Sequence, residues 1–165
     1  MIEVTVAHLG LDRTTNAPVV ILREKGGARI LPIWIGPAEA GAIAMELQGM
    51  KAPRPMTHDL LKQVVLGCGA ALHRVVIASV RDNTYFAELH LRRPGEDPVL
   101  VDARPSDSIA LALRLHAPIF AAETLLRDAE GEPGAPPTPE PGIDVEQLKR
   151  HLETLDPEDF GRFTP

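Results

Sequence analysis

Residues 2–9 (IEVTVAHL) set apolar Ile2, Val4 and Val6 between polar or small neighbours, a pattern that predicts a strand. A polar turn at 12–16 precedes a second strand at 19–23, and Gly26-Gly27 turns the chain into a third at 29–35 (RILPIWI). Gly36-Pro37 then starts a helix, PAEAGAIAMELQ, that ends before Gly49. A second helix is expected from Thr57, with Leu60, Leu61, Val64 and Val65 on its buried side and Gly67 and Gly69 at its end. Strands follow at 75–80, 85–91 and 99–102, with turns at Asp82-Asn83 and Pro94-Gly95. Pro105 opens a third helix, PSDSIALALRLH, and a strand at 118–121 with a short helix completes the pattern. Trp34, inside an apolar strand, is expected in the core.

Sliding the chain by 68 positions lays ILPIWIGPAEAGAIAMEL (30–47) over PVLVDARPSDSIALALRL (98–115). Pro37 then meets Pro105, Glu39 meets Asp107, Ala42 meets Ala110 and Leu47 meets Leu115. Both halves read strand–strand–strand–helix, which predicts an α+β fold of two antiparallel units around a shared core. In each half a proline at N1 puts an acid at N3. The helix dipole stabilises an acid there, and its carboxylate can bond back to the cap residue's N–H. That alone accounts for Glu39 and Asp107. The same geometry can also present two helix N-termini to one phosphate-holding cleft.

Beyond about residue 130 the chain changes character. Residues 131–142 (GEPGAPPTPEPG) hold five prolines and three glycines, which reads as an extended linker. Residues 143–165 follow as an acidic tail, with Ile143, Val145, Leu148, Leu152 and Leu155 at the spacing of one helical face. That tail either docks on its own body or engages a protein partner. The net charge is −6 and it is uneven. Residues 1–130 carry 14 basic and 15 acidic side chains, and residues 131–165 carry 3 and 8. A near-neutral body argues against strong nonspecific nucleic-acid affinity, without excluding a local basic site. Aromatic residues at 4% leave few base-stacking platforms. One cysteine, Cys68, permits neither an internal disulfide nor a multi-cysteine zinc site. With no apolar run of ~20 residues and no visible secretory signal, a cytoplasmic protein without a membrane span is expected.

The segments LPIWIGPAEAGAIAMEL, RPMTHDLL and VDARPSDSIALALRL together resemble the bifunctional nuclease domain family, over about residues 1–130. The resemblance implies a self-associating cytoplasmic α+β protein that cleaves DNA and RNA with little sequence preference. Site residues are expected from the chemistry available inside the matching segments. Phosphodiester hydrolysis needs an activated water and charge stabilisation on the phosphate. His58, Asp59, Glu39 and Asp107 are the catalytic candidates, and Arg54 and Arg104 the phosphate-binding ones. Asp102 and Asp107 are candidate ligands for a divalent ion, Mg²⁺ or Mn²⁺. Each has a plainer reading: Thr57 as an N-cap, Asp59 as a first-turn acid, His58 as an exposed first-turn residue, Asp102 as a turn stabiliser, and the arginines as loop-locking salt bridges. Ser106 carries no nucleophile-elbow pattern. The leading expectation is a nonspecific, metal-assisted nuclease, working as a homodimer on nucleic acid. The rivals are a noncatalytic oligomeric binding or regulatory module and a hydrolase of small phosphate esters.

Overall fold

A computed structural model describes residues 1–12 and 15–128. The linker and tail expected at 131–142 and 143–165 lie outside the described residues. Among the described residues, seven strands and three helices form the α+β fold that the patterning predicts: β1 (Ile2–Leu11), β2 (Pro18–Glu24), β3 (Ile30–Trp34), α1 (Pro37–Leu47), α2 (Thr57–Gly67), β4 (Ala71–Arg81), β5 (Thr84–Arg92), β6 (Val99–Ala103), α3 (Pro105–Leu115) and β7 (Ile119–Ala121). A 3₁₀ turn, Glu123–Leu125, follows.

All strands join one sheet in the order β3-β2-β1-β7-β4-β5-β6. Every pairing is antiparallel except β4 with β7. The order is mirrored about β7, with β1–β3 on one side and β4–β6 on the other. Local chemistry sets the hairpins. Asp82 (φ 47°) and Asn83 (φ 58°) are both left-handed, the backbone of a two-residue type I′ turn between β4 and β5. Gly26 (φ 83°) plays the corresponding part between β2 and β3.

The sheet's alternation divides its residues between two faces. Val20, Leu22, Leu31, Ile33, Val75, Ile77, Ala87 and Leu89 share a core with Ile43 of α1 and with Ile109 and Leu111 of α3. Val19, Ile21 and Ile30 form a smaller cluster of their own. Helix α3 packs on β4 and β5 and is flanked by α1 and α2. Alanines make this close packing possible: Ala40, Ala42 and Ala44 of α1 and Ala110 and Ala112 of α3 are all buried. Trimming fully buried Ile109 to alanine costs about 3 kcal/mol, because the cavity collapses only in part.

Two expectations are corrected. Of the four apolar residues assigned to the buried side of α2, only Val65 is buried; Leu60, Leu61 and Val64 face outward. Helix α2 is fixed at its N-terminal half by polar contacts to α3, not by seating its apolar stripe. Trp34 is not in the core either. It is more than one-third exposed at the end of β3, and its indole Nε1 donates to Asp12 Oδ2 at 3.0 Å.

Candidate functional site

Two strand-to-helix junctions and the start of α2 meet at the site. Gly36 is the N-cap of α1 and Arg104 the N-cap of α3, so Pro37 and Pro105 occupy N1 and Glu39 and Asp107 fall at N3. Neither carboxylate takes the backbone N–H of its cap residue, which the repeat pattern allowed. Both take the Arg104 side chain instead. Its Nε donates to Asp107 Oδ2 at 2.8 Å and its Nη1 lies 2.9 Å from Glu39 Oε1. Gly36, the repeat partner of Arg104, leaves room for this. A methyl group at its Cα would overlap the Glu39 carboxylate.

The N-terminus of α2 brings the third segment. The cap residue is Met56, not Thr57, and the Asp59 carboxylate accepts the Met56 N–H at 3.0 Å. One residue earlier, His58 is half-buried, with Nε2 3.1 Å from Asp107 Oδ1. A carboxylate can only accept, so this contact places the proton on Nε2 and leaves Nδ1 as the ring's free acceptor. Burial pushes the Asp107 carboxyl up, but Arg104 and His58 outweigh it and the net displacement is downward. The same partnership, with Asp107 foremost, raises the Arg104 guanidinium.

Behind this cluster lies a residue that the sequence reading did not single out. Arg114 is only 4% exposed. Its Nε donates to Asp59 Oδ1 at 2.7 Å, its Nη1 to Ala110 O at 3.0 Å and its Nη2 to Ala42 O at 3.2 Å. Lys62 Nζ caps the Arg114 carbonyl at 2.8 Å. One guanidinium therefore ties α1, α2 and α3 together and fixes the first turn of α2, which carries His58. The hydrogen bond from Arg114, then that from the Met56 N–H, holds the Asp59 carboxyl below the ordinary aspartate range. A signal was available: Arg114 lies seven residues after Asp107, on the same face of α3, inside an otherwise apolar run.

Of the sequence candidates, Glu39, His58, Arg104 and Asp107 come together, and Asp59 stands directly beside them. Arg54 lies exposed in the loop before α2, and no hydrogen bond or ion pair joins it to the cluster among the described residues. Asp102 pairs across the sheet with Glu88, one step out of phase with the Leu89–Val101 and Ala87–Ala103 pairs of the helix-covered face. It therefore points to the opposite face from Asp107. Among the described residues, no three His, Cys, Asp or Glu side chains converge on a point that could hold a metal ion. Between Glu39 and Asp107 sits the Arg104 guanidinium. The arrangement as folded does not fit a resident divalent ion. It offers a histidine oriented by a carboxylate, beside a solvent-accessible arginine.

No helix among the described residues is long and apolar enough to cross a membrane. The sequence profile of the Bifunctional nuclease domain matches residues 20–133. An uncharacterized protein of Mycobacterium tuberculosis is 40% identical over 164 residues, covering 96% of this chain and 97% of its own. Bifunctional nuclease 1 of Oryza sativa subsp. japonica is 27% identical over 110 residues, 66% of this chain and 33% of the rice protein. Bifunctional nuclease 2 of Arabidopsis thaliana is 29% identical over 106 residues, 63% and 32% of the two chains. This chain thus aligns with about a third of each plant protein. With a profile match over more than half its length, the chain belongs to the bifunctional nuclease domain family.

Proposed function

We propose that the protein is a nuclease that hydrolyses phosphodiester bonds in DNA and RNA at the His58–Asp107–Arg104–Glu39 cluster. The supporting observation is the convergence of three sequence-distant helix starts on one histidine–carboxylate pair, with Arg104 on its solvent side. Asp107 orients the His58 ring, and Nδ1 takes a proton from water. The water oxygen then bonds to phosphorus as the bond from phosphorus to the leaving oxygen breaks. Arg104 is two-thirds exposed and meets the phosphate oxygens with the N–H groups that its carboxylates leave free. A cytoplasmic setting, where Cys68 stays a free thiol, belongs to the same reading. The divalent ion expected from the sequence is a separate part of it. Glu39 and Asp107 could bind Mg²⁺ or Mn²⁺ only by releasing Arg104, and no step above depends on that.

The test incubates purified full-length protein with single- and double-stranded DNA and with RNA, under Mg²⁺, Mn²⁺ or EDTA. Cleavage that disappears in His58→Ala and Asp107→Ala supports the reading. Cleavage that survives both places the chemistry elsewhere. One feature favours a noncatalytic binding module instead: Arg104 already has both carboxylates as partners. Absence of cleavage in every arm, with nucleic-acid binding retained, would establish that alternative.

A further inference from the structure

The three helices pack side by side on one face of the sheet, and the opposite face differs between its two halves. Strand alternation puts Val19 and Ile21 of β2 on that opposite face, with Ile30 and Pro32 of β3. Val19 is 1% exposed, Ile21 2% and Ile30 7%, and Pro32 is buried as well. Their cluster contains no helix residue. His8, Ile21 and Pro32 form one row across β1, β2 and β3. His8 Nε2 is also shut off from water, with no hydrogen-bond partner among the described residues. Trp34, paired with Val19 and hydrogen-bonded to Asp12, closes one end of the patch. The equivalent strands of the second half, β5 and β6, turn Glu88, His90, Leu100 and Asp102 to the same face. Leu100, the repeat partner of Pro32, is 60% exposed. One half of this face is therefore apolar and closed, and the other is polar and more open.

Side chains on an uncovered sheet face stay in contact with water, so Ile21 and Ile30 need a cover that the helices do not supply. The place where the chain leaves the described residues decides the occupant. Arg127 bridges Ile30 through two hydrogen bonds of 2.8 Å, and Asp128 follows at the border of the patch. We propose that residues 143–155 of the same chain dock here, laying Ile143, Val145, Leu148, Leu152 and Leu155 against Ile21, Ile30 and Pro32. Residues 129–142 reach far enough: an extended proline-rich chain covers about 3.1 Å per residue, while β1 to β3 span roughly 10 Å of sheet. Their prolines favour a spacer over a further strand on β3. Tethering also holds the segment at a local concentration on the order of millimolar, which a free partner would have to exceed. Arg23, exposed on the same face, meets the tail's excess of acidic side chains. The docked segment lies across the sheet from His58, Arg104 and Asp107, so the inference is independent of the proposed chemistry.

A nitroxide on Arg150→Cys, in the full chain with exposed Cys68 changed to serine, tests this through the broadening of nearby amide signals. Arg150 stands off the apolar side of the segment, so the label leaves the contact intact. The expected result is broadening strongest at residues 19–23 and 30–33 and weakest along β5 and β6. Leu148→Asp and Leu152→Asp should each relieve it and speed hydrogen exchange of the 19–23 amides about tenfold. Circular dichroism shows whether either variant loses its fold, and the pattern in the labelled parent carries the test without them. Absence of broadening on β2 and β3 overturns the proposal. So does a pattern centred on His58 and Asp107. A mixture of nitroxide-bearing chains with isotope-enriched, unlabelled ones separates the source: the same broadening there comes from a second copy, and also overturns it.

Discussion

His58 Nε2 lies 3.1 Å from Asp107 Oδ1, a contact between the first turns of two helices whose residues stand 49 apart in sequence. The carboxylate settles which ring nitrogen keeps its proton. If His58 is the base, His58→Ala should lower kcat by about 10²–10⁴. Asp107→Asn should lower kcat less, because the amide still accepts the ring N–H while losing the charge. Initial-rate kinetics on a fluorescent oligonucleotide would read both.

Arg104 makes a different prediction. It is exposed, so its ion pairs add little to stability, and Arg104→Ala should change unfolding free energy by no more than about 1 kcal/mol. Its effect should appear in KM and in nucleic-acid binding. Arg104→Lys should recover only part of the loss, since an ammonium keeps the charge without the two-pronged fork. Denaturant unfolding beside filter-binding titrations separates the two effects.

The Asp59–Arg114 pair should be structural first. Replacing Asp59 with alanine leaves a guanidinium that is 4% exposed with Glu46 at 3.9 Å as its nearest remaining carboxylate, and should cost about 3 kcal/mol. A double-mutant cycle of Asp59→Ala with Arg114→Met should give a coupling of about 1–3 kcal/mol. Since Arg114 fixes the turn that carries His58, the Arg114 variant should also lower kcat, although Arg114 stands behind the cluster.

The carboxyls of Asp59 and Asp107 both titrate below the ordinary aspartate range when folded. Groups depressed in this way bind more protons unfolded than folded at mildly acidic pH. Their contribution is therefore fully present above the unfolded value and is lost as pH falls through the folded one. Melting temperature should drop on acidification below the usual aspartate range. Asp59→Asn should flatten that dependence while lowering the plateau at neutral pH. Thermal melts of both proteins across a pH series provide the check.

Gly36 offers a test that leaves the clustered charges in place. Its φ of −73° suits any residue, so Gly36→Ala should fold normally. The added methyl would meet the end of the Glu39 side chain, which must swing aside. Loosening of the Glu39–Arg104 pair should then appear as altered substrate binding at unchanged melting temperature.

Much of the architecture was legible because it is written locally. Asp82-Asn83 and Gly26 specify their turns through backbone conformations that few residues adopt. Pro37 and Pro105 mark helix starts because only a first-turn residue can lack its N–H, and the N3 positions of Glu39 and Asp107 follow by counting. The 68-residue repeat anticipated an α+β fold; that its strands join one sheet mirrored about β7 came from the structure. What α2 does with its apolar stripe was not legible. Helical spacing shows that Leu60, Leu61 and Val64 share a face, but not whether anything covers it. Strand alternation likewise could not say that Asp102 faces away from the helices until the β5–β6 register was fixed.

The sequence by itself determined the elements, the proline-marked starts of α1 and α3, the duplicated units and the family, since each depends on neighbouring residues or on motif order. Only the tertiary structure decided that Asp107 takes His58 as well as Arg104, and that Arg114 is buried beneath them with Asp59. Those contacts span 49 and 55 residues, and they exist because α1, α2 and α3 pack side by side on one sheet. No local pattern encodes where one helix's first turn meets another's; the packing of the core does.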